Sequence, residues 1–206
     1  MKFDVMGNED RKRAIYRKYI NVFMENGPVL DAGCGSGIFL ELLKESNREG
    51  IGVDINDEYV AVCVRKGLKV SKTELLEFLK TTDLNLSGVF AAHIIEHLSG
   101  EQAFELLKLF FMKLAPGGRV VIITPNTKDL GVITETFWLD LTHIRPYPMG
   151  LLEKLFTDIG FKIVAKGEDA DVKPRVKRSF KSIIKHLRFG EFINRGDLFI
   201  IGEKPK

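Results

Sequence analysis

The stretch PVLDAGCGSGIFLELL, residues 28–43, restricts the fold more than any other part of the chain. Pro28 starts an apolar run, Val29 and Leu30, which ends in Asp31 and three glycines at alternate positions, Gly33, Gly35 and Gly37. Ile38, Phe39, Leu42 and Leu43 then recur at helical spacing. The pattern predicts a buried strand, a glycine turn and a helix, the opening unit of a nucleotide-binding α/β sheet. Glycine suits such a turn because the chain bends sharply and a ligand approaches bare backbone. The first N–H groups of the helix face whatever sits over the turn.

Dinucleotide enzymes usually space these glycines G-x-G-x-x-G, whereas this chain has D-x-G-x-G-x-G. An acid before the first glycine is a poor neighbour for phosphates and a good one for a positively charged ligand. The competing reading is a tight turn that binds nothing. After the helix comes GIGVDIND, in which Ile51 to Ile55 reads as a strand with Asp54 at its carboxyl end. Asp54 follows Gly33 by 21 residues, the spacing at which an acid accepts both hydroxyls of a ribose. Asp54 as a helix N-cap is the alternative, although Asn56 or Asp57 can fill that position.

The strings VLDAGCGSG, GVDIND, FAAHIIEHL and LAPGGRVVIITPN, in this order, resemble the successive motifs of the class I S-adenosylmethionine-dependent methyltransferases. The resemblance covers about residues 28–126. It implies an α/β fold: a doubly wound, mostly parallel seven-stranded sheet of Rossmann-like kind, with helices on both faces and strand order 3-2-1-4-5-7-6. It also implies S-adenosylmethionine as methyl donor and S-adenosylhomocysteine as product. The cofactor residues it implies are Asp31, Gly33, Cys34, Gly35, Gly37, Asp54, Ile55, Glu74 and His93. Cys34 would contribute through its backbone. Glu74 would lie near the adenine amino group, or else serve only as an acid in a first helical turn.

Strands and helices alternate along the rest of the chain. Helices are predicted at 57–66, 73–80, 102–114 and 149–159, and strands at 68–70, 87–94, 119–124, 161–165 and 197–202. Residues 127–146 read as a loop with an apolar stretch at 134–141 that holds Trp138, the only tryptophan. Ligands of such sheets bind outside the carboxyl ends of the strands, where Asp31, Asp54, Glu74, His93 and Asn126 fall. Residues 9–26 read as a helix with Ile15, Tyr19, Val22 and Phe23 as its apolar stripe. The division expected is an N-terminal lid helix, 1–27, and a cofactor-binding domain, 28–206. Tyr16 and Arg17 are the lid candidates, and packing on the sheet edge is the alternative.

Two cysteines, Cys34 and Cys63, cannot make a disulfide framework, which fits free thiols and a cytoplasmic setting. No apolar run is long enough for a transmembrane segment, and MKFDVMGNEDRKR lacks a signal-peptide core. The net charge of +3 conceals an asymmetry. Residues 172–188 carry seven Lys and Arg and no acid, leaving 24 basic against 28 acidic residues elsewhere. This segment lies in a basic insertion at about 168–196, between the last two strands. Its open readings are an amphipathic helix on anionic lipid, a nucleic-acid contact, or a solvated face.

Three of the four histidines fall at predicted site edges, in HIIEHL and DLTHIRPY. Methyl transfer to a hydroxyl needs alignment, exclusion of water and removal of one proton, for which imidazole suits neutral pH. DLTHIRPY resembles a DxTHxRPY element of methyltransferase domains linked to cell-surface glycan synthesis. On that resemblance His143 is the base, supported by Asp140, with Arg145 as an anion or sugar contact; a loop pinned by hydrogen bonds is the alternative. His97 is the second catalytic candidate, against a capping role. No metal is expected. The weaker option is His93, Glu96 and His97, with His143 as a further nitrogen; the string resembles an E-x-x-E-H cluster of RNA 3′-end and ubiquinone-pathway methyltransferases but carries His at the first position. The function expected is O-methylation of a sugar, glycan or small metabolite. RNA methylation, or a module that binds cofactor without catalysis, is the alternative.

Overall fold

The computed structural model describes residues 9–169 and 196–206. Seven strands form one sheet in the order β3-β2-β1-β4-β5-β7-β6. They are β1 (Val29–Ala32), β2 (Gly50–Asp54), β3 (Val70–Lys72), β4 (Leu86–Ala92), β5 (Leu114–Thr124), β6 (Lys162–Asp169) and β7 (Asp197–Glu203). The first five are parallel, and β7 lies antiparallel to both β5 and β6. The expected topology is therefore present.

Both faces are covered, which is why the central strands read as continuous apolar runs rather than alternating ones. In β5, Val120 and Ile122 pack into one core with Leu106, Phe110, Leu152 and Phe156. Those residues come from α5 (Gly100–Lys113) and α7 (Met149–Ile159). Val121 and Ile123 point the other way, into a core with Phe39, Leu42 and Leu43 of α2 (Ile38–Glu45) and with Tyr19 and Phe23. There Phe39 stacks on Phe90 of β4 with ring centroids 3.9 Å apart. A Cβ on Gly88 would strike the Phe23 ring at 2.1 Å, so this strand position needs glycine for the N-terminal segment to dock.

The remaining helices are α1 (Glu9–Arg17), α3 (Asp57–Arg65), α4 (Leu75–Thr81) and α6 (Leu130–Thr134). Ser99 and Gln102 close a capping box on α5, and Gly160 ends α7 at a φ of 107°.

Local structure differs from expectation in five places, one being β6, which runs on to Asp169 through its pairing with β7, past the expected 161–165. The N-terminal helix stops at Arg17 and a short 3-10 turn follows at Ile20–Val22. The carbonyls that a longer helix would keep for itself go elsewhere. Arg48 binds those of Ile20 and Phe23 at 2.6 and 2.8 Å, and Arg119 that of Val22 at 3.0 Å. The third strand starts at Val70, because Leu68 still closes α3 through its N–H to Cys63 O. The fifth strand starts at Leu114, taking in the Pro116-Gly117-Gly118 turn. Residues 127–146 include α6, capped by Asp129, and a 3-10 turn at Thr136–Leu139. The basic stretch 172–188 lies outside the described residues.

Candidate functional site

The carboxyl ends of β1 and β2 make the first half of the site. Gly33, Gly35 and Gly37 all have positive φ, as the turn from strand to helix requires. A Cβ at Gly33 would meet Ile94 at 2.1 Å and one at Gly37 would meet Leu68 at 2.6 Å, whereas at Gly35 it meets nothing within 4 Å. Gly35 therefore presents its backbone to open space. Its N–H donates to Asp54 Oδ2 at 2.8 Å, while Asp54 Oδ1 accepts from Asn56 N at 2.9 Å. Asn56, not Asp54, caps α3. Ile55 beside it is 68% exposed.

Asp31 is buried, yet its Oδ2 has no hydrogen-bond partner. Burial, with the Asp54 carboxylate adding to it, pushes its acid up to about 8. Leaving a buried carboxylate oxygen unpaired is costly, and a cation set against it would relieve that cost. An ammonium or sulfonium group fits this position, so the residues present suit the cofactor that the resemblance implies.

The other expected cofactor residues sit differently. Cys34 donates its N–H to Val53 O and accepts from Gly37 N on its carbonyl, so its polar groups close the turn. Its thiol is buried and held un-ionised by desolvation. Glu74 caps α4, accepting from Glu77 N at 2.9 Å. His93 has a φ of 58° at the end of β4. It spans two acids, with Nδ1 3.2 Å from Glu96 and Nε2 3.5 Å from Asp197. Burial alone would hold its pKa down, but the bonds to Asp197 and Glu96 outweigh that and push it up to about 10. His93 is thus an imidazolium that ties β4 to β7.

Of the two lid candidates, only Tyr16 reaches the site. Its ring packs edge-on against Phe39 and Phe90 at 6.5 and 4.9 Å. Burial raises its pKa, and Asp31, Asp197 and Glu96 raise it further, so its hydroxyl lies in the field of those acids. Arg17 pairs with Glu45 on the outer side.

The second half of the site joins the 3-10 turn Ile95–His97 to the loop that follows β5. Glu96 is fully buried. Its Oε2 accepts from Thr124 Oγ1 at 3.0 Å, and its carbonyl accepts from Ile144 N and Arg145 N. The rings of His97 and His143 lie 4.7 Å apart. His97 Nδ1 is 2.8 Å from Thr142 Oγ1, which in turn donates to Asp140 Oδ1 at 2.6 Å. His143 Nδ1 donates to Phe137 O at 2.6 Å. With Nδ1 engaged in both rings, Nε2 is the nitrogen left to act. Asp140 Oδ2 is 4.0 Å from His143 Nε2, beyond hydrogen-bond reach, so the Phe137 carbonyl orients the ring. Bonds from the Thr142 side chain and backbone lower the Asp140 pKa.

Among the described residues, Glu96, His97 and His143 offer three ligand atoms within 4.8 Å of one another. Of the four residues the sequence offered for such a set, His143 joins Glu96 and His97, and His93 does not. Asn126 is also fully buried, with Nδ2 unpartnered and Oδ1 accepting from Lys128 N. Asp197, Thr124 and the Phe137 carbonyl carry no signal in the sequence. They matter because the fold brings them to groups that do.

Comparison with known proteins agrees with this geometry. Residues 8–166 match a family described as Methyltransferase domain. The crystal structure of a SAM dependent methyltransferase from Archaeoglobus fulgidus is 30% identical, with a TM-score of 0.81 over 98% of this chain and 100% of that one. A Mycolicibacterium smegmatis protein named "Probable S-adenosylmethionine-dependent methyltransferase" is 29% identical over 136 residues, 66% of this chain and 52% of that relative. The mitochondrial ubiquinone biosynthesis O-methyltransferase of Homo sapiens is 30% identical over 111 residues, 50% of this chain and 30% of that protein. The match thus spans about half the length of the first of these two relatives and less of the second.

Proposed function

The chain belongs to the S-adenosylmethionine-dependent methyltransferase family, and we propose that it methylates a hydroxyl of a sugar, glycan or small metabolite with His143 as base. One arrangement carries this reading: two facing imidazoles, each with Nδ1 tied and Nε2 left as proton acceptor. When bound, S-adenosylmethionine supplies a methyl group already activated on a sulfonium. The protein's own work is then alignment, exclusion of water and removal of one proton. Asp31 would hold the cationic end, Gly35 would leave room beside it by lacking a side chain, and Asp54 would take the ribose hydroxyls. Tyr16 of α1 serves as the lid residue over the site. His143 Nε2 accepts the acceptor's proton while the Phe137 carbonyl steadies the imidazolium through Nδ1–H. Asp140, kept ionised by Thr142, adds a favourable field at 4.0 Å. Arg145 stands exposed beside them as an anion or sugar contact. The oxygen chemistry named for the human relative points the same way.

Calorimetry with S-adenosylhomocysteine, followed by a labelled methyl donor and an acceptor panel, tests the proposal. Tight association and label on a small hydroxylated product are expected. Label in RNA would replace the acceptor class, and donor consumption by no acceptor would leave a binding module.

A second reading rests on the cluster of Glu96, His97 and His143. Imidazoles that bind metal commonly donate their other nitrogen to a carbonyl, hydroxyl or carboxylate, as both rings do here. A divalent ion held there would act as a Lewis acid on the acceptor hydroxyl, and His143 would be a ligand instead of a base. Turnover that survives chelation yet fails in His143→Ala supports the base; loss on chelation and rescue by a divalent ion supports the metal.

A further inference from the structure

The loop that carries His143 also carries an unusual surface. Leu130, Trp138, Leu139, Leu141 and Ile144 are all exposed large apolar side chains, Leu141 to 98%. They fall within 15 residues and flank the second half of the site. Scattered exposed apolar residues are ordinary, but five within one loop beside a site mark a segment that something covers.

The frame beneath them is braced. Phe137 is buried with its ring 4.4 Å from that of His143, and Tyr147, fully buried, donates to the carbonyls of Leu98 and Ser99. Ile144 N bonds to Glu96 O. Polar groups within the patch are satisfied internally. Trp138 Nε1 donates to Ile133 O at 2.8 Å, Thr134 Oγ1 to Leu130 O, and Asp140 Oδ1 accepts from Thr142. Covering the patch with an apolar medium would therefore strand no donor of the indole, and only Glu135 and the outer oxygen of Asp140 would oppose an anionic one.

Charge narrows the choice of cover. Arg145 lies exposed at one end of the loop, and Lys128, paired with Glu168 at 3.7 Å, at the other. β6 ends at Asp169 and β7 begins at Asp197, paired in register at the same end of the sheet as the site. The sequence between those ends holds the seven positives of 172–188 with no acid. A second copy of the chain would set these cations against themselves, and RNA phosphates would leave the aliphatic residues unused. Exposed apolar side chains on a chain that also carries such a cationic stretch match an anionic bilayer surface.

We propose that the 130–144 loop docks on an anionic phospholipid membrane, with Trp138, Leu139 and Leu141 entering the headgroup boundary so that the acceptor half of the site opens at the lipid surface.

Trp138 is the only tryptophan, so its fluorescence reports on the patch alone. The full chain is titrated with vesicles of phosphatidylcholine containing phosphatidylglycerol, and with pure phosphatidylcholine. A blue shift and protection from quenching with the anionic vesicles are expected, weakening as salt rises. The double variant Leu139→Ser, Leu141→Ser should partition at least about tenfold less, both sites being surface-exposed. Equal binding to neutral vesicles, wild-type partitioning of the double variant, or a blue shift that needs only a higher protein concentration and accompanies a dimeric mass each overturns the proposal. S-adenosylhomocysteine calorimetry on the same variant should be unchanged. Membrane docking and the proposed chemistry can thus fail separately.

Discussion

The two halves of the site are built in opposite ways. The cofactor half comes from one strand–turn–helix and the next strand, residues 31 to 54, and its groups are backbone N–H and two carboxylates. The acceptor half joins residues 93–97 to residues 137–145 through the Glu96 carbonyl and a file of side-chain bonds, His97 to Thr142 to Asp140. In the first, one buried acid is left unpaired, and a bound cation would complete it. In the second, nearly every polar atom already has a partner within the protein, leaving the Nε2 atoms to act. On the proposed reading, one half is incomplete without its ligand and the other is set before its substrate arrives.

That contrast can be broken experimentally. The largest effect is expected at Asp54: Asp54→Ala removes the anchor of Gly35 N as well as the ribose contact, and should weaken S-adenosylhomocysteine by more than about 100-fold in calorimetry. Next, His143→Ala should lower turnover by about 100- to 10,000-fold while leaving that affinity within about twofold. Equal loss in both readouts would mean that the halves are not separable, and unchanged turnover would remove His143 from the chemistry.

Asp31 supplies the pH test. Its folded pKa of about 8 lies above the ordinary 3.8, so between those values the ligand-free protein holds a proton that the unfolded chain has lost. Stability therefore falls as pH rises through that window. A cation bound beside Asp31 expels the proton, so binding below pH 8 should release it and tighten as pH rises. Calorimetry in two buffers of different ionisation heat measures the release, and Asp31→Asn should abolish it with about tenfold weaker binding.

A smaller change is expected at Asp140. Because Phe137 orients the His143 ring, Asp140→Asn should cost less than about tenfold in turnover; a loss as deep as that of His143→Ala would restore Asp140 as the orienting group. Smallest is the effect of Asp197→Asn. His93, raised from 6.5 to about 10, contributes stability that is complete below pH 6.5 and lost as pH climbs through 10. The variant should flatten that part of the pH dependence of thermal unfolding and leave the part due to Asp31.

The cofactor half was legible in the chain because its parts are near neighbours. A glycine turn with an acid before it and a second acid one strand later can be read from spacing, and the sheet order followed from the family resemblance. The acceptor half was legible only as a list. His97, His143 and Asp140 stand out as residue types, but the sequence offered His93, Glu96, His97 and His143 as one set, whereas the fold turns His93 toward Asp197 and keeps the other three together. Glu74, expected near the adenine or as a first-turn acid, stands one place before α4 as its N-cap, a role that short-range spacing does not separate from the other two. The N-terminal helix ended early because Arg48 and Arg119, distant in sequence, claim its carbonyls.

By itself the sequence determined where strands give way to helices, because periodicity and glycine placement act over a few residues. It also determined that the turn after β1 suits a cation better than a phosphate, because Asp31 is written into it. Only the tertiary structure decided which histidines face each other, which acid is left unpaired, and which aliphatic side chains of the 130–144 loop stay outside the core. Those outcomes depend on groups that the sheet brings together from separate parts of the chain, and local patterns hold no record of such distances.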